Sequence, residues 1–184
     1  MIVDLGKPEY VHVLLNPFPV YGLAVATLAL MIALLLKIRA VRVTALALVM
    51  LSAASAWPVY YYGEAGYDRV KTMVDDAGDK WLEEHMRRGE QLIYVFYLLA
   101  ALSATAIASD FSSPRATVPI AIATLVLALV SLGVGGYIAY AGGRVRHKEF
   151  RFQALPGLLQ AGGGFFTAGI ADEEHGRFGI ITED

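Results

Sequence analysis

The sequence predicts an all-α integral membrane protein: an up-and-down bundle of four transmembrane helices with one extramembrane loop and an irregular Gly-rich C-terminal tail. Three observations lead there. Hydrophobic residues make up 57% of the 184 residues and charged ones only 17%, whereas soluble domains carry about 25% charged residues. Charge is absent between Glu9 and Lys37, between Arg42 and Glu64, between Glu90 and Asp110, and between Arg115 and Arg144. Aromatic residues gather at the ends of those gaps.

Each gap approaches or exceeds the roughly 20 residues that a helix needs to cross the hydrocarbon core. Lipid offers the backbone no hydrogen-bond partners, so a span must satisfy its own amides as a helix. The spans are expected at 18–37, 42–62, 91–110 and 117–141, within a transmembrane domain of residues 1–147. Trp57, Tyr60, Tyr61 and Tyr62 close the second span, Tyr94 and Tyr97 open the third, and Tyr137 and Tyr140 end the fourth. In an up-and-down bundle these fall at one face, as an interfacial aromatic belt does.

Small residues recur at helical spacing. Thr124, Ala128, Ser131, Gly135 and Ala139 form one stripe, and Ala101, Thr105 and Ser109 another. Such stripes allow close helix approach, either within the chain or against another membrane subunit. The loop from Glu64 to Glu90 is polar. Its second half, Asp79 to Glu90, is expected to form a short interfacial helix, with Trp81, Leu82, His85 and Met86 on one side. Asp75, Asp76, Asp79, Glu83 and Glu84 read as a solvated face rather than a metal site. Residues 148–184 are expected as an extramembrane tail. Its charge-free part contains Pro156 and the run Gly162, Gly163 and Gly164, a poor helix former.

Asp4, Lys7 and Glu9 precede the first apolar run. This is not the basic opening of a cleavable signal peptide, so the first span is expected to act as its own insertion signal. Basic residues near span ends set orientation, and here they compete. Lys37, Arg39 and Arg42 fill the first turn, while Arg144, Arg146, Lys148 and Arg151 follow the fourth span at the other face. The tight basic turn is taken as cytoplasmic, which places the termini on the periplasmic side of a bacterial inner membrane.

A net charge of -2 argues against nucleic acid, whose phosphates require a basic surface. The chain has no cysteine, which removes thiolate metal sites and thiol nucleophiles. The span interiors contain no ionisable residue, and pumps and proton relays need such residues near the midplane. No nucleophile elbow, phosphate loop or HExxH pattern is present, so no catalytic residues are expected.

The histidines are the remaining candidates. His12 precedes the first span, His85 precedes the third and His147 follows the fourth, so a bundle puts all three at one face. A histidine outside a span is commonly no more than a headgroup-level residue. Imidazoles from two helices are also the usual axial ligands of haem iron in helix bundles. His12 with His85 is the pair to test first.

The segment Asn16-Pro17-Phe18-Pro19-Val20-Tyr21-Gly22-Leu23, the Glu84-His85-Met86-Arg87-Arg88-Gly89 stretch and the Gly142-Gly143 pair that follows Tyr140-Ala141 resemble a bacterial family of uncharacterised four-helix membrane proteins. Its members open the first helix with a His-Pro motif, carry a histidine before the third and close the fourth with Gly-Gly. The resemblance covers roughly residues 10 to 147. Some relatives are joined to Rieske-type iron–sulfur domains, which implies redox company. Asn16 stands where the family motif has histidine, so a ligand there would have to be replaced by His12.

Two functions follow as expectations. One is a non-catalytic subunit, binding the bilayer and other membrane-protein subunits, that anchors a larger complex linked to electron transfer. The other is a small b-type haem or metal-binding redox protein using His12, His85 and His147.

Overall fold

A computed structural model describes residues 5–151. Among these the chain is helical, with no strand, and four helices are long and apolar enough to cross a membrane: α1 (Pro8–Leu36), α2 (Arg39–Lys71), α3 (Asp76–Ser112) and α4 (Pro114–Arg146). The connections are a few residues long, so successive helices run antiparallel. Helix α1 packs on α2 and α4, α2 on α3, and α3 on α4. The ring of neighbours places α1 diagonally across from α3.

The core is made by small and aliphatic side chains. Leu23, Leu30, Leu46, Val49, Leu99, Ala121 and Ala128 are fully enclosed, with Thr124 and Ser131 beside them. The hydroxyls of Thr124 and Ser131 bond back to the carbonyls of Ile120 and Leu127, so they add no unmet polar group to the interface. The outward faces are equally apolar: Val25, Leu28 and Leu35 on α1, Leu51 on α2, and Val126 and Leu129 on α4 are exposed. A helix that is apolar all round suits a membrane span.

Three of the expected spans lie wholly inside these helices and the first overruns α1 by Lys37, its left-handed cap; the helices are otherwise longer, and the polar loop is mostly helix. Only Thr72–Asp75 separates α2 from α3. Ion pairs sustain the extensions: Glu84 binds Arg87 and Arg88 at i+3 and i+4, and Lys71 reaches Asp79 and Glu83. Trp81 and Leu82 bury against Ala141 and Val145. The Asp75 side chain accepts from the Gly78 amide as the N-cap of α3. Asp75, Asp79, Glu83 and Glu84 thus pair with cations, while Asp75, Asp76 and Glu83 remain exposed to solvent.

Helix α1 also begins earlier than residue 18, at the cost of an irregularity. Pro17 and Pro19 lack amide hydrogens, so the helical ladder slips. Tyr21 and Gly22 both donate to the Pro17 carbonyl, at 2.8 and 3.3 Å, and Phe18–Gly22 forms a π-helical turn. The α4 stripe is buried as far as Gly135, and Ala139 is exposed where it lines the cavity at the Thr72–Asp75 end. On α3 the stripe is displaced: Leu99, Ser103, Ala106 and Ser109 are buried, and Ala101 and Thr105 are exposed. Phe96 and Leu99 set that phase, because bulky residues claim the core first.

At the far end of the bundle, Asp110 is buried and binds Arg42 through two hydrogen bonds. Arg39 donates to the Asp110 carbonyl at 2.8 Å. The basic turn between α1 and α2 is thus tied to the α3–α4 turn. After α4 the chain makes a single turn at Lys148–Phe150, and the Gly-rich tail from residue 152 onward lies outside the described residues.

Candidate functional site

The site lies at the end of the bundle that carries the Thr72–Asp75 connection, and the slip in α1 prepares it. The π turn re-aims Pro8–Leu15 so that this first segment packs on the last turns of α2. π-turns of this kind recur at functional sites. Gly63 and Gly66 make the approach possible: a Cβ at Gly66 would lie 2.9 Å from the Glu9 amide nitrogen.

His12 on α1 donates from Nδ1 to the Val59 carbonyl of α2 at 2.8 Å. His85 on α3 donates from Nδ1 to the Ile138 carbonyl of α4 at 3.0 Å. A carbonyl only accepts, so Nδ1 carries the proton in both rings. In the neutral imidazole Nε2 is then a bare lone pair, the state in which histidine binds a metal. No described residue hydrogen-bonds either Nε2.

The two halves repeat one arrangement. In each, the carbonyl that orients the ring is followed four residues later, one turn up the same face, by a glycine. A Cβ at Gly63 would stand 2.8 Å from His12 Nδ1, and one at Gly142 would stand 2.9 Å from His85 Cε1. Diagonal helices therefore supply the imidazoles, while α2 and α4 supply the orienting carbonyls and the space.

The ring centroids of His12 and His85 are 6.2 Å apart, with planes at 81°. A metal–imidazole bond is about 2.0 Å and the ring centre lies about 1.1 Å behind the nitrogen, so two imidazoles on opposite sides of one metal sit about 6.2 Å apart. The cavity at this level has a volume of about 710 Å³, within the range of about 300–1,000 Å³ typical of cofactor sites. Its walls are mostly apolar, with Pro19, Ile93, Phe96 and Gly135 towards the bundle middle and Met73, Arg146 and His147 at the mouth.

The three sequence-predicted histidines thus divide. His12 and His85 come together inside the bundle. His147 lies exposed at the cavity mouth, where its Nδ1 engages Glu149 at 2.8 Å. Among the described residues there is no group of three or more His, Cys, Asp or Glu able to hold a metal ion. Two imidazoles alone suit a metal whose other positions a macrocycle fills, more than zinc or copper held by protein ligands only.

The charged neighbours are paired, although Glu9 Oε2 is buried with no hydrogen-bond partner among the described residues. Arg88, one turn from His85, is buried between Glu84, the Tyr137 carbonyl and the Tyr137 ring, 3.8 Å from its centre. Glu9 is held by Arg69 at 2.9 Å. The aromatic residues at the span ends share this end of the bundle, with Trp57 stacked on Tyr61 and Arg144 over Tyr140. Sequence reasoning named the histidine pair, singled out Gly142 only as part of the Gly-Gly pair of the family resemblance, and missed Gly63 and the clearance that both glycines give. Their signal was present as two glycines near helix ends that no turn required.

Comparison with protein-family models, with curated proteins and with solved structures returns no match. The candidate site therefore stands on its own geometry.

Proposed function

We propose that this chain is a multi-pass membrane protein of the bacterial inner membrane that binds haem b between His12 and His85 and takes part in electron transfer. The observation that carries this reading is the 6.2 Å separation of two imidazoles, each oriented by a backbone carbonyl through Nδ1. The glycine clearances and the apolar cavity support it. So does the resemblance to a family with Rieske-linked members.

In this reading the haem supplies one-electron chemistry, and the chain's residues do the rest. Val59 and Ile138 fix the ring tautomers, which raises the basicity of each Nε2. Phe96, Pro19 and Ile93 exclude water from the inner half of the cavity, which favours the less charged reduced state. The termini, the cavity and its mouth then share the periplasmic face, following the basic turn assigned to the cytoplasm.

The other reading, a non-catalytic subunit that anchors a larger membrane complex linked to electron transfer, is compatible with the same bundle with or without haem. The α4 stripe, which offered a docking face, is used inside the bundle as far as Gly135. The deciding experiment is an absorption spectrum of the full chain in detergent, oxidised and dithionite-reduced, with added hemin if it purifies colourless. A bis-imidazole b-type spectrum is expected, lost in His12→Ala and His85→Ala and kept in His147→Ala. A protein that stays colourless with hemin, yet holds stoichiometric subunits, would overturn the haem assignment.

A further inference from the structure

The cavity is polar at one end only. Along α4 its lining runs from Gly135 to Arg146, twelve residues whose eleven rises cover about 16 Å of helix. Its inner end meets Phe96 and Val20, both within 3.4 Å of a Cβ built at Gly135. At the outer end Arg146 stands one turn beyond Gly142, the glycine that clears the His85 ring. It is the one guanidinium among the cavity's lining residues.

The partners of Arg146 set it apart. Its guanidinium donates to Met73 Sδ at 3.3 Å, and a thioether is a weak acceptor. Among the described residues no carboxylate lies within ion-pair distance of it. Of the other cations of this end, Arg69 is held by Glu9, Arg88 by Glu84, and Lys148 and Arg151 by Asp75, while Arg144, which also meets no carboxylate among the described residues, lies over Trp81 and Tyr140 and does not line the cavity. Glu9, the carboxylate on the α1 wall, is matched by Arg69, so the mouth keeps a net positive group that a bound anion can neutralise.

Haem b is itself asymmetric, with two carboxylates on one edge and apolar substituents on the opposite one. Building on the haem reading, we infer that Arg146 is the anion anchor of the site. It binds a propionate carboxylate at the mouth and turns the apolar edge inward, towards Phe96 and Pro19. Guanidinium and carboxylate match as a bidentate pair, and the reverse orientation would bury two carboxylates against apolar walls. His147, exposed beside Arg146, belongs to this rim and is not an axial ligand.

The test compares two ligands with the same macrocycle. Hemin and hemin dimethyl ester, which lacks the carboxylates, are titrated into the full-length apo-protein in detergent, and the Soret band is followed. Wild type is expected to bind hemin about ten-fold more tightly than the diester. Arg146→Gln should abolish the preference while leaving the bis-imidazole spectrum unchanged, and Arg146→Lys should restore part of it. A wild-type protein that binds both ligands equally would overturn the anchor and leave the haem reading intact. Arg146→Gln keeping the full preference would do the same. A wild-type protein that binds neither would remove both readings together.

Discussion

His85 fits against α4 because residue 142 is glycine: a Cβ there would stand 2.9 Å from His85 Cε1. Gly63 stands in the same relation to His12. The ring cannot yield far, since its Nδ1 is held by the Ile138 carbonyl. Gly142→Ala should therefore push His85 out of line and lower hemin affinity about ten-fold or more, with helix content unchanged. Gly136→Ala is the control. Nothing lies within 4 Å of a Cβ at that position, so it should leave binding intact and add up to about 1 kcal/mol of helix stability. Hemin titration and far-ultraviolet circular dichroism check both.

The near-perpendicular rings make a spectroscopic prediction. Imidazole planes at 81° leave the two iron orbitals that mix with them almost equal in energy. A ferric bis-imidazole site of this kind gives a highly anisotropic low-spin signal with a single large g value, whereas parallel rings give a rhombic one. Electron paramagnetic resonance of the oxidised protein near liquid-helium temperature distinguishes them. A rhombic signal would mean that the rings rotate from the arrangement described here.

Asp110 and Arg42 join the two turns at the opposite end of the bundle. Asp110 has 2% of its side chain exposed and Arg42 12%, so removing the acid leaves a cation with little water to turn to. Breaking such a pair costs about 3–5 kcal/mol. Asp110→Ala should lower the thermal midpoint in detergent by about 10 °C, without changing the haem spectrum. Replacing the exposed Glu149 should not move the midpoint measurably, as surface pairs contribute little.

Asp75 gives a pH signature outside the spans. Its carboxyl is lowered from 3.8 to about 2 by the Gly78 amide it caps, then by Arg151 and Lys148. A carboxylate whose folded pKa is depressed stabilises the fold above its unfolded value and loses that contribution as pH falls through the folded one. The clamp between Asp75 and the segment after α4 should hold at pH 4 and release towards pH 2. Asp75→Asn should abolish this acid step. Hydrogen exchange at the Gly78 amide, followed against pH, reads it directly.

The four long helices were legible because the absence of charge over some twenty residues reports partition between water and hydrocarbon, a property of each segment alone. The extent of α2 and α3 beyond those segments was not. Trp81 and Leu82 need Ala141 and Val145 to bury against, and residues of different helices meet only once the bundle forms. The phase of α3 escaped for the same reason: Ala101 and Thr105 share a face with Ser109 only approximately, and Phe96 and Leu99 decide which side turns inward.

The sequence by itself determined that three histidines share one end of the bundle, since alternation of helices fixes the end at which each residue lies. It determined nothing about how deep they sit. That was decided by the π turn at Phe18–Gly22, which steers His12 inward, and by two glycines that clear room for the rings. Depth depends on distances between helices, and those are set by the side chains of neighbours far away in sequence. So His12 and His85 meet across the bundle while His147 stays at the rim.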